Sequence, residues 1–209
     1  MSLSPLRSAP QKRWRTIVHV MLSIVFGNIL LVHSVYATSS VVKQQVAQLN
    51  TTQKEQPTQA EKEQINTDID VMLSAMSSGD VAVFIEKTHP ALFPLLGGKE
   101  NFTEFLTEAM AQIDNLGIKI LSNEFEEPGR YYKAGKELLS IVPRISIMEI
   151  EGKKAKTIGF MIAIKDTTTN TWKYLDGSGL REDKSMLWQM FPELETDIKF
   201  PENRVEMIE

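Results

Sequence analysis

NFTEFLTEAMAQIDNLGIKILSNEFEE, residues 101–127, changes its period part-way along. Phe102, Phe105, Leu106, Ala109, Met110, Ile113 and Leu116 recur at helical spacing and form one apolar face. Gly117 then ends the helix, as a glycine just past the last turn commonly does. From Ile118 to Glu127 the period falls to two, which reads as a strand, and Pro128-Gly129 reads as a turn. A helix that passes through one glycine into a strand separates a helical first half of the chain from a strand-rich second half.

Upstream, Ile65, Ile69, Met72, Leu73 and Met76 form another helical face, with structure beginning near Glu61. Gly79 ends that helix. Asp80 caps the next, DVAVFIEKT, by accepting from first-turn amides. Downstream, KELLSIVPRISIMEIEG (136–152) reads as a long strand. Pro143 inside it predicts a bulge or an edge position. AKTIGFMIAIKD (155–166) alternates, with Ile158, Phe160, Ile162 and Ile164 on one face. TTTN makes a polar hairpin turn. TWKYLDG (171–177) places Trp172, Tyr174 and Asp176 on one face. REDKSMLWQMF reads as a short amphipathic helix, and the chain from Pro192 is polar.

Three helices followed by about four antiparallel strands predict an α+β domain with the N-terminal helices packed on one face of a strongly curved sheet. Such a sheet leaves a cone with an open mouth, a common place for a small-molecule pocket.

The first 37 residues stand apart. They carry Arg7, Lys12, Arg13 and Arg15 with no acid, then the apolar run TIVHVMLSIVFGNILLV (16–32), then HSVYA. This is the layout of a secretory signal peptide, with cleavage expected after Ala37 and a periplasmic or secreted location. An uncleaved anchor is the alternative, and would be the chain's only attachment to a membrane. The run is near the lower limit for a bilayer span, and it holds His19 and Asn28, which are costly in lipid. Residues 38–60 read as a flexible polar linker, 61–195 as the α+β domain and 196–209 as a polar C-terminal tail.

The 209-residue chain has a net charge of −4. Without residues 1–37 it keeps 19 basic residues against 27 acidic ones, a net of −8. That excess of acid disfavours nucleic-acid binding, which needs basic patches. There is no cysteine, hence no disulfide and no thiol nucleophile. Of three histidines only His89 lies beyond the leader, which rules out paired-histidine metal sites; neither a metal nor a cofactor is expected.

The element order resembles the nuclear-transport-factor-2-like superfamily, the cone-shaped fold shared with ketosteroid isomerase and scytalone dehydratase. FIEKTHPALFPLLGGKENF (84–102), WKYLDGSG (172–179) and LWQMFPEL (187–194) look like a narrower secreted bacterial group of undefined function within it. The resemblance covers roughly residues 62–195. It implies the fold; it does not fix a function, because the superfamily hosts enzymes, binding modules and assembly domains.

The catalytic candidates are His89, Asp176 and Tyr174. His89 is either a general base near neutrality or the residue that ends a helix because Pro90 follows it. Gly97-Gly98 is either an anion loop at a helix start or a corner; Glu100 and Glu104, just after it, repel an anion. An acid beside a tyrosine in an apolar pocket is the pattern of ketosteroid isomerase, itself a standard worked example. Asp176 beside Tyr174 fits that pattern if their face lines the cone, and merely begins a turn if it meets solvent. DGSG (176–179) reads as a tight turn in which Gly177 and Gly179 supply positive φ. Tyr131, Tyr132, Arg144 and Trp172 are the ligand-binding candidates. The leading expectation is a non-enzymatic domain that binds a small apolar ligand or a protein partner, including a second copy through an open sheet face. The alternative is an isomerase- or dehydratase-type enzyme with Asp176 or His89 as base and Tyr174 or Arg144 polarising a carbonyl.

Overall fold

The computed structural model describes residues 55–150, 152–180 and 183–208. The expected signal peptide and residues 38–54 of the expected linker lie outside them.

Helix α1 spans Gln59–Ser77. It starts ahead of Glu61 because Thr58 and Glu61 form a capping box. The Thr58 hydroxyl accepts from the Glu61 amide at 3.3 Å, and the Glu61 carboxylate accepts from the Thr58 amide at 2.8 Å. Helix α2 spans Val81–Lys87, with the Asp80 carboxylate accepting from the Val83 amide as expected. A 3-10 segment, Pro90–Leu96, follows, then α3, Lys99–Asn115. Gly97 and Gly98 turn the chain between them at φ 82° and 113°, so this pair makes a corner.

Among the described residues six strands follow: β1 Lys119–Phe125, β2 Tyr131–Ala134, β3 Glu137–Ile150, β4 Lys153–Asp166, β5 Trp172–Asp176 and β6 Arg204–Ile208. A short helix α4, Ser185–Met190, lies between β5 and β6. The class is therefore α+β, helices followed by an antiparallel sheet. The order is β1-β3-β4-β5, with β2 also on β3 and β6 also on β4. The sheet does not close, since β1 and β5 end the order without pairing. Two strands join the four expected. One is YYKA; the other is RVEMI, which returns the polar C-terminal stretch to β4 through Thr157↔Val205 and its neighbours.

Strands β3 and β4 pair without interruption from Glu137↔Asp166 to Ile150↔Lys153. Pro143 causes no bulge. Its carbonyl accepts from Glu126 on the side of β3 where β1 has ended and β2 has not begun, so its missing N–H falls in a gap between edge strands.

The sheet is buried on two sides. Val142, Met161, Ala163 and Tyr174 pack under the helices against Ile65, Ile69, Met72, Phe84 and Phe102. On the other side Leu139, Ile141, Phe160, Ile162, Ile164 and Leu175 pack against Leu180, Leu187, Phe191, Leu194 and Ile198. This is why GFMIAI is apolar at successive positions and not only alternate ones. Here the second face is covered by the chain's own C-terminal segment. Each fully buried side chain of that segment is worth about 1.5–3 kcal/mol.

Gly177 corrects an expectation. Neither it nor Gly179 has positive φ. Gly177 is required for space: a Cβ there would meet Phe160 Cε2 at 2.3 Å and the Phe160 carbonyl oxygen at 2.6 Å.

Candidate functional site

Strand alternation separates the candidate residues onto two sides of the sheet. Trp172, Tyr174, Asp176, Arg144 and Tyr131 lie on the helix side; Tyr132 lies on the other, and the His89 ring reaches the same side.

Tyr174 is fully buried, and its hydroxyl donates to Asp68 Oδ2 at 2.8 Å. Asp68, on α1 and 6% exposed, also accepts from Lys87 Nζ at 2.7 Å. Burial, with Asp68 beside it, pushes the Tyr174 pKa far up, so the hydroxyl stays protonated as a structural donor. Tyr131 is likewise raised, by burial and by the nearby Glu61. Burial works upward on Glu61 as well, but the Lys165 ammonium at 2.6 Å and the bonds from Thr58 outweigh it and hold the carboxyl at about 2.

Asp176 ends β5 and accepts from the Ser178 amide at 2.8 Å. It also pairs with Arg144 Nη2 at 3.4 Å. Arg144 pairs in register with Gly159 of β4, which presents no side chain, so the guanidinium can cross β4 towards Asp176 on β5. On the way Nη1 meets Met161 Sδ at 3.8 Å. Tyr132 is buried in the other cluster. The Arg130 guanidinium stacks on its ring at 3.8 Å, and its hydroxyl accepts from the Lys199 amide.

His89 is held by the fold through its backbone and both ring nitrogens. Its amide donates to the Tyr174 carbonyl at 2.9 Å, attaching the corner to the edge of β5. Its Nδ1 accepts from the Ala91 amide at 3.2 Å and caps the 3-10 segment. Nε2 therefore carries the proton and donates to Glu137 Oε1 at 2.9 Å. The ring packs 5.0 Å from that of Phe191. Burial lowers its pKa below 6.5 and outweighs the upward pull of Glu137. Lys173 adds to the lowering, and Asp166 opposes it.

No family model, no curated protein and no solved structure matches the chain. Function has to be read from the geometry alone. Among the described residues no group of His, Asp and Glu could hold a metal ion, and no helix is long and apolar enough to cross a membrane.

Two of the surface depressions among the described residues bear on the candidates. One, of about 340 Å³, lies between α1 and β1 and is lined by Leu73, Ser74, Ser77 and Asn123. The other, of about 460 Å³, lies where α1 and α2 meet the start of β5, and Trp172 is the one candidate residue that lines it. Sequence reading missed its other walls, Asp68 and Lys87. The signal available was a charged residue, Asp68, next to Ile69 on the apolar face of α1.

One pH dependence follows. The folded chain protonates His89 less readily than the unfolded chain does. The stability that His89 contributes is therefore complete above pH 6.5 and is lost as pH falls below it towards the lowered value. Glu61 contributes only to losses below its ordinary value of 4.5. Urea midpoints at about pH 7.5 and about pH 5.5 should show wild type losing stability, and His89→Gln losing less. An equal loss in both would remove His89 as the cause.

Proposed function

We propose that the chain is an extracytoplasmic, non-enzymatic binding domain. In this reading the leader directs export, and the fold is a nuclear-transport-factor-2-like one whose mouth serves no reaction. One observation carries it: each of the three catalytic candidates is held by structural partners, and the three do not meet at one site. His89 bonds Glu137 and Ala91, Tyr174 bonds Asp68, and Asp176 bonds Arg144 and Ser178. A base and its electrophilic partner need hydrogen-bond reach of the same substrate atoms. Here the sheet stands between the His89 ring and Asp176. With His89 as base, the isomerase- or dehydratase-type alternative has Tyr174 and Arg144 across the sheet; with Asp176 as base, the carboxylate is already committed to Arg144 and Ser178.

The partner is a ligand, a second copy or another protein. Native mass spectrometry of the protein purified from its own host tests this. A mass above that of residues 38–209 by a ligand, a second copy or another chain is the expected result. A bare monomer from a gentle preparation would contradict it.

A further inference from the structure

The depression at the start of β5 combines an aromatic rim with polar groups whose charges balance. Trp172 is half-buried at its edge, its ring resting on the helix-side core. Asn170, exposed beside it, sits at φ 56°, a left-handed conformation held by its amide bond to the Asp166 carbonyl at 2.8 Å. Gln64 and Glu86 rise from the helices opposite, both exposed. The floor is the Asp68 carboxylate with Tyr174 beneath it.

The charges decide the class of ligand. Two acids, Asp68 and Glu86, face two ammonium groups, Lys87 and Lys173, so the wall sums to zero. Lys87 is paired with Asp68, and Lys173 donates to the Glu86 carbonyl. With the wall neutral, no net charge draws an ionic ligand in, and an anion that took Lys87 from Asp68 would leave a buried carboxylate without its partner, which is costly. An uncharged ligand leaves both intact. The groove offers one apolar ring face and several planar amide and carboxylate groups. That combination suits a molecule with C–H faces and vicinal hydroxyls, and the volume of about 460 Å³ lies within the range of small-molecule sites.

We propose that this groove binds an uncharged saccharide, with Trp172 as the stacking platform and Asn170, Gln64 and Glu86 as hydroxyl partners. The proposal rests on the binding-domain reading and names the ligand of one site.

The test titrates the mature chain, residues 38–209, with cellotetraose and with chitotetraose, and follows backbone amide shifts by heteronuclear NMR. Inorganic phosphate and glucuronate serve as ionic probes. Saturable shifts centred on residues 170–173 and on Gln64 and Glu86 are expected with at least one neutral oligosaccharide. Asn170→Ala and Gln64→Ala replace exposed residues outside the core and should each weaken binding several-fold. Trp172→Ala should weaken it at least tenfold, and Trp172→Phe, which keeps an aromatic face, by less. No shift with either oligosaccharide, shifts elsewhere, or tighter binding of the ionic probes overturns the proposal. If native mass spectrometry still finds a partner that Trp172→Ala retains, the binding-domain reading stands and the saccharide site falls. If it finds none and the oligosaccharides leave the groove untouched, both fall.

Discussion

Gly177→Ala is expected to destabilise the protein by about 2–3 kcal/mol, at the upper end of overpacking changes. The added methyl would overlap two ring carbons of Phe160 and approach its backbone carbonyl. A ring could turn aside, but the carbonyl belongs to the β3–β4–β5 ladder and Phe160 is 2% exposed. Because φ at Gly177 is not positive, the loss comes from packing alone, and Gly177→Ala with Phe160→Leu should recover part of it. Urea unfolding of the two variants checks this. A neutral Gly177→Ala would mean that the chain just after β5 does not lie against Phe160 as described.

Asp68→Ala should cost about 2–3 kcal/mol, and its smaller companions make the test sharp. It leaves the fully buried Tyr174 hydroxyl without an acceptor, a loss of about 1–3 kcal/mol. It also leaves Lys87 unpaired, but that ammonium is 30% exposed and can turn to water, so its share is small. Tyr174→Phe should therefore cost less than Asp68→Ala, and Lys87→Met least of all. Chemical unfolding gives the order; Lys87→Met as the most damaging change would contradict it.

Much of this arrangement was legible in periodicity. The faces of α1 and α3, the four long strands and the shared face of Trp172, Tyr174 and Asp176 follow from spacings of 3.6 and 2, because those spacings decide which side chains can reach a core. What was not legible depends on contacts distant in sequence. YYKA is too short to display a period, and RVEMI is a strand because β4 offers it an edge. The covered second face rests on Phe191, Leu194 and Ile198 within a stretch whose composition is polar. The Thr58–Glu61 capping box was readable, but the Gln- and Thr-rich run before it masked it.

The site shows the same division. Residue types marked His89, Asp176 and Tyr174, yet their partners Glu137, Arg144 and Asp68 lie 48, 32 and 106 positions away. Only the register of the sheet and the corner at Pro90 bring them together. Gly159 shows this most plainly: an absent side chain on β4 lets Arg144 cross to Asp176, and nothing local marks it.

Nitrogen-15 NMR of His89 at neutral pH addresses most directly whether the ionisable groups serve the fold. As the single histidine beyond Ala37, it gives one unambiguous signal. A neutral ring protonated at Nε2, with nuclear Overhauser contacts to Phe191 and a pKa below 6.5, is the expected result. A ring protonated at Nδ1, or one in contact with the side chains of Asp176 and Arg144, would place His89 in a shared pocket and contradict a non-enzymatic domain.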